Sequence, residues 1–96
     1  MAKEINWARA AIRDLGRLQG FLEDKSKKAA LRALKTIKTG ISRLEQHPHI
    51  GIAVEDMPNY RDLIIPFGSG NYVARYEVDG DCIIIARLKH SQQSTF

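Results

Sequence analysis

From Arg61 to His90 the chain reads as three β-forming runs, RDLIIPF, NYVARYEV and DCIIIARLKH, separated only by GSG and DG. Their Val, Ile, Tyr and Phe suit a pleated, half-buried surface. Connections this short join antiparallel neighbours, so the expectation is a meander. Asp79-Gly80 is placed to supply the positive φ of a type I′ turn.

The N-terminal half has a different rhythm. KEINW, residues 3–7, alternates polar and apolar and reads as one short strand with Ile5 and Trp7 on the same side. From Ala8 the period lengthens. Ala8, Ala11, Leu15, Leu18 and Leu22 recur at three and four residues, which predicts an amphipathic helix over 8–23. EDKS breaks it, with Asp24 or Ser26 able to cap a second helix. Ala30, Leu34, Ile37, Ile41 and Leu44 carry that helix to about Gln46. Gly40 inside it costs about 1 kcal/mol against alanine, which marks close packing against the first helix. HPHIGIAVEDMPNY, 47–60, has Pro48, Gly51 and Pro58 and reads as a loop. The order β-α-α-β-β-β predicts an α+β fold, an antiparallel sheet of three to four strands with a helical hairpin on one face. One domain over residues 1–96 is expected.

The balance of 15 Lys and Arg against 11 Asp and Glu gives a net charge of +4, which suits an acidic partner, nucleic acid or protein. A lone Cys82 excludes an internal disulfide and, in an apolar strand, reads as structural. No charged-then-apolar leader opens the chain and no apolar run reaches membrane-spanning length. A soluble protein of the reducing cytoplasm is expected.

Strand alternation gives the last hairpin two faces. Tyr72, Ala74, Tyr76 and Val78 oppose Val73, Arg75 and Glu77; Cys82, Ile84, Ala86, Leu88 and His90 oppose Ile83, Ile85, Arg87 and Lys89. The helices need an apolar floor, which assigns Tyr72, Ala74, Tyr76, Ile84, Ala86 and Leu88 to the core. Arg75, Arg87 and Lys89 then gather on the open face, with Arg61 a fourth cation if its strand shares that register. Two readings stay open for them: a binding surface, or solvent-facing charge that protects a sheet.

Most catalytic chemistry is missing. GSG lacks the lysine and following helix of a phosphate loop. His47 and His49 flank a proline without a third ligand, so no metal or other cofactor is expected. Cys82 and His90 would stand about 26 Å apart on an extended strand, too far for a nucleophile and its base. A metal-free ribonuclease needs a base, an acid and cations on the phosphate. His90, Arg75, Arg87 and Lys89 supply part of that set, without a second acid or base. The helix cations Arg9, Arg13, Arg17, Lys25, Lys27, Lys28, Arg32, Lys35 and Lys38 could attract nucleic acid. Their spread along the chain is that of a solvated face.

W-A-x-x-A-x-x-D-L at 7–15, L-E-Q-H-P at 44–48, Y-R-D-L at 60–63, N-Y-V-A-R-Y-E-V at 71–78 and I-I-I-A-R-L-K-H at 83–90 together resemble the ParE/RelE toxin superfamily of type II toxin–antitoxin modules, on its ParE side. The resemblance spans nearly the whole chain and implies the same β-α-α-β-β-β layout. RelE-type relatives cut messenger RNA on the ribosome with basic residues of the open sheet face and the end of the last strand. Here Val73 stands where those nucleases carry an arginine, and Ser91, Gln92 and Gln93 follow His90 instead of a basic cluster. ParE-type relatives are non-enzymatic poisons of DNA gyrase, neutralised by an antitoxin whose C-terminal segment wraps the toxin. The resemblance therefore implies a gyrase inhibitor held in a hetero-oligomer with a ParD-like antitoxin. The exposed residues of the hairpin and of the C-terminal end, Arg61, Arg75, Arg87, Lys89 and His90, are the expected target contacts. The alternatives are a ribosome-dependent endoribonuclease with His90 as acid or base, and an inactive homologue kept for antitoxin binding.

Overall fold

The computed structural model describes residues 2–96. The chain runs β1 (Glu4–Trp7), α1 (Arg9–Glu23), α2 (Lys27–Ser42), a 3-10 turn (Arg43–Glu45), β2 (Ile52–Ala53), β3 (Tyr60–Phe67), β4 (Gly70–Asp79) and β5 (Cys82–His90). The Ser26 hydroxyl accepts the Ala29 N–H at 3.1 Å and so starts α2, the second of the two caps the sequence offered. Both hairpin loops are two residues long and begin with a glycine at positive φ, Gly68 at 60° and Gly80 at 59°. No other described residue of either loop has positive φ. The tip at 80–81 therefore has the φ pattern of a type II′ turn with Gly first, one residue later than the type I′ pairing of Asp79-Gly80 that the sequence suggested.

The sheet has five strands in the order β1-β5-β4-β3-β2. It is mixed, where an antiparallel sheet of three to four strands was expected. β1 lies parallel to β5, with Ile5 beside Ile83 and Trp7 beside Ile85. The segment expected to be loop contributes β2, which pairs with Arg61 and Asp62 of β3. α1 lies against β5 and α2 against β3, so the helical hairpin covers one face of the sheet and leaves the other open. Gly40 packs on that sheet, not on α1: a Cβ there would meet the Ile65 side chain at 2.9 Å. The core between the layers holds Ala11, Ala33, Ile37, Ile41, Leu44, Leu63, Ile65, Tyr72, Ala74, Tyr76, Ile83, Ile85 and Leu88. Among the described residues no helix is long and apolar enough to cross a membrane.

Strict alternation fails along β5. Arg75 pairs with Arg87 but Tyr76 pairs with Ile85, so Ala86 is the extra residue of a β-bulge. Before it Ile83 and Ile85 point into the core, each 0% exposed; after it Leu88 does, at 2%. Ile84 and Ala86, assigned to the core from the sequence, are only half-buried. Arg87, Lys89 and His90 keep the faces expected of them because the bulge flips the strand just before they begin.

Candidate functional site

Arg75 and Arg87 stand directly opposite each other on neighbouring strands, an arrangement that repels unless each charge is answered. Asp62, the partner of Arg75 on β3, takes it bidentately: Arg75 Nε donates to Oδ1 at 2.9 Å and Nη2 to Oδ2 at 3.0 Å. Arg87 lies beyond the end of β1, where β5 has an uncovered edge, and reaches Asp14 of α1. Its Nε donates to Oδ2 at 2.8 Å and its Nη2 to Oδ1 at 3.2 Å, while the Leu88 backbone N–H donates to the same carboxylate at 2.9 Å. Asp14 thus stands in for the missing strand, and Arg17 joins it from the next turn. Burial raises the Asp14 pKa, but hydrogen bonds from Arg87 and Leu88 and the charges of Arg87 and Arg17 outweigh it and hold the carboxyl below its ordinary 3.8.

Lys89 shares the open face. Its Nζ donates to the Gln93 carbonyl at 3.3 Å, and it has no carboxylate within ion-pair distance among the described residues. The Phe96 ring returns over all three cations.

Arg61 is elsewhere. It pairs with Tyr76, whose side chain is in the core, so Arg61 projects on the helix side of the sheet and does not join Arg75. There its Nη1 donates to the carbonyls of Gly51 at 2.8 Å and His49 at 3.2 Å. Tyr76 fixes the same loop, accepting the Gly51 N–H at 2.9 Å and donating to the Pro48 carbonyl at 2.8 Å. Its phenol is pushed up by burial.

His90 also faces the helix side. It pairs with Tyr72, and the two rings meet edge to face at 5.4 Å. The Nδ1 of His90 accepts the Gln92 N–H at 3.1 Å. Gly70 sits against the other edge of the imidazole, where a Cβ would come within 2.9 Å. His90 lines a groove of about 560 Å³ with Arg17, Leu18, Phe21 and Leu22 of α1 and Phe67 and Tyr72 of the sheet. Burial pushes the Tyr72 phenol up, which makes it a poor proton acceptor near neutral pH.

The residues singled out in the sequence therefore fall in three places: Arg75, Arg87 and Lys89 on the open face, His90 in the groove behind the sheet, and Arg61 on the loop that follows the helices. Cys82 stays apart at the far end of β5, its Sγ 3.7 Å from Glu4 Oε2. Desolvation and the carboxylates of Glu4, Asp79 and Asp81 push its thiol up and away from reactivity. The helix cations Arg9, Arg13, Arg17, Lys25, Lys27, Lys28, Arg32, Lys35 and Lys38 are all exposed. Three features escaped sequence reasoning. Asp14 lies within the apolar stripe, three residues after Ala11 and four before Leu18, and a charge there signals a buried partner. Phe21, 61% exposed, lies off that stripe and borders the groove. Phe96 carried no periodic signal.

A family model described as ParE toxin of type II toxin-antitoxin system, parDE, matches residues 5–95. The chain is 35% identical to Toxin RelE3 of Caulobacter vibrioides over 89 residues, 93% of this chain and 95% of that protein. It is 32% identical to Toxin RelE1 of the same organism over 80 residues, 83% and 84% of the two chains. In three dimensions it is similar to a chain of the chromosomal ParDE system from P. aeruginosa, with a TM-score of 0.78 at 23% identity, covering 93% of this chain and 96% of the other. A chain of the toxin-antitoxin complex RelBE2 from Mycobacterium tuberculosis matches with a TM-score of 0.63 at 19% identity, covering 94% and 99%. At these identities the two structures speak for the fold.

Proposed function

The chain belongs to the ParE/RelE family of toxins of type II toxin–antitoxin systems, and on that premise we propose that it acts by binding a protein target, DNA gyrase, without catalysing a reaction. The observation that carries this reading is the separation of His90 from Arg75, Arg87 and Lys89 by the thickness of the sheet. A phosphodiester held by the three cations would present its 2′-hydroxyl and leaving oxygen to the open face, out of reach of the His90 imidazole and with Lys89 alone of the three a candidate acid or base. The two arginines are further engaged by Asp62 and Asp14, which suits a shaped contact surface more than a phosphate clamp.

The antitoxin partner enters on the opposite side. The groove beside α1 is lined mainly by apolar side chains, and Phe21 at its rim is 61% exposed. An amphipathic segment with acidic flanks would bury Phe21 and Leu18 and meet Arg17. The structures that resemble this chain come from ParDE and RelBE2 systems, which supports the same partner class here.

Purified protein tested in parallel on gyrase supercoiling and on ribosome-bound message decides between targets. Inhibited supercoiling with accumulation of cleaved DNA is expected, with the message intact. Discrete cuts in the message that vanish in His90→Ala would replace this reading by an endoribonuclease working from the groove. Expression without antitoxin that leaves growth unaffected would point to an inactive binding homologue.

A further inference from the structure

Ser91 to Thr95 are all exposed, yet the next side chain, Phe96, comes back to the sheet and is half-buried. Its ring centroid lies 4.6 Å from the Arg75 guanidinium, 5.0 Å from Lys89 Nζ and 5.8 Å from the Arg87 guanidinium. All three fall within the roughly 6 Å reach of cation–π attraction. The path back is set at the end of β5. The His90 N–H donates to Gln93 Oε1 at 3.0 Å, the Gln93 N–H to the His90 carbonyl at 3.0 Å, and the Gln92 N–H to His90 Nδ1 at 3.1 Å. A strap of exposed residues thus ends in one docked ring.

The place it docks has a defined chemistry. Arg75 gives Nε and Nη2 to Asp62 and Nη1 to Met57 Sδ at 3.5 Å; Arg87 gives Nε and Nη2 to Asp14. With these in-plane donors engaged, the guanidinium groups offer their flat faces. Such a surface suits a planar ring better than phosphate, because the Nε–Nη2 fork of each arginine is already taken by a carboxylate and only Arg87 keeps an Nη1 without a partner among the described residues. Lys89 adds one positive charge at the rim that no carboxylate answers among the described residues.

We propose that Arg75, Arg87 and Lys89 form a socket for an aromatic side chain beside a carboxylate on a protein partner, and that Phe96 occupies it within the chain as a cover the partner must displace. The proposal rests on the protein-target reading and adds the contact chemistry and its regulation. Aromatic and arginine anchors are the groups that dominate protein–protein binding energy. The cover is reversible, since it consists of one ring on a short exposed strap. While it is closed, it lowers apparent affinity in proportion to the closed fraction.

Proton NMR of the full chain tests the socket directly. The Phe96 ring current should displace the side-chain methylene resonances of Lys89 and Arg75; Phe96→Ala should return them to ordinary positions. Millimolar SQQSTF peptide, the sequence of residues 91–96, should displace them again in Phe96→Ala and leave the parent chain unchanged. Identical resonances in the two chains, or a peptide that moves nothing, would overturn the socket. In supercoiling assays Phe96→Ala should inhibit gyrase at about 3- to 10-fold lower concentration, the gain expected when a mostly closed cover is removed. Equal or weaker inhibition overturns the cover. If neither chain affects gyrase, the gyrase reading falls by itself, and the resonances and peptide still judge the socket. A gain by Phe96→Ala toward a short oligothymidylate, with no gain toward gyrase and no peptide effect, overturns the proposal in favour of a nucleobase site.

Discussion

Removing the Asp14 carboxylate leaves the Leu88 N–H without its acceptor and Arg87 without its counter-ion, at a position only 3% exposed. A buried donor left unpaired costs about 1–3 kcal/mol. The ion pair adds less than a fully buried one, because Arg87 is a third exposed and water can replace its partner. Asp14→Ala should therefore lose about 2–3 kcal/mol of stability in urea unfolding, and Asp14→Asn about half of that, since the amide oxygen still accepts from Leu88. A loss below about 0.5 kcal/mol for Asp14→Ala would show that the carboxylate does not hold the edge of β5. The same group sets an acid limb. Its pKa is lower in the folded chain than the ordinary carboxylate value, so its contribution is complete above the unfolded pKa and is lost as pH falls toward the folded one. The urea midpoint should fall below about pH 4, and less steeply in Asp14→Asn. The residue was legible in principle as an acid on an apolar stripe; its partners were not, because Arg87 and Leu88 lie far along the chain.

At the scale of elements, the bulge at Ala86 makes adjacent isoleucines unequal. Ile85 is 0% exposed and Ile84 is half-buried on the opposite face. Ile85→Ala should cost about 2–4 kcal/mol and Ile84→Ala about 1 kcal/mol or less, measured by the same unfolding transition; the reverse ranking would mean that β5 runs without a bulge. The helices, the position of the hairpins and the final meander were legible because each follows from local periodicity or from a glycine where φ must be positive, but the type of the turn at Gly80 was not. The bulge and the parallel pairing of β1 were not. The bulge inserts Ala86 into an otherwise continuous apolar run with no local signal of its own, and the place of β1 beside β5 depends on two strands distant in sequence. The strand face of Arg61 was illegible for a related reason: its register against β4 decides the side, and that register sends it to the carbonyls of His49 and Gly51. The candidate site was thus half readable. Arg75, Arg87 and Lys89 share a face as alternation suggested, but the ring that covers them comes from a tail without periodic pattern.

For the whole molecule, the sheet separates two surfaces of different chemistry. The open face carries Arg75, Arg87, Lys89 and Phe96; the groove behind it carries Arg17, Leu18, Phe21 and His90. If the open face meets gyrase and the groove seats the antitoxin, single substitutions should affect one partner and spare the other. Lys89→Glu reverses the one of the three open-face cations that lacks an ion-pair partner among the described residues. It should weaken gyrase inhibition about 5- to 10-fold, and leave antitoxin affinity within about twofold, because the substituted group is on the far side of the sheet. Phe21→Ser removes an exposed ring at little cost to the core. It should lower antitoxin affinity about tenfold or more, as loss of an aromatic anchor does, while the free toxin inhibits gyrase as before. Titration of each variant with antitoxin, and each free variant against supercoiling, gives a four-way comparison. Two variants that weaken both partners equally would mean that antitoxin and target compete for one surface, and neutralisation would then be direct occlusion. Separate losses would mean that the antitoxin acts from behind the sheet, leaving the cationic face to be closed by Phe96.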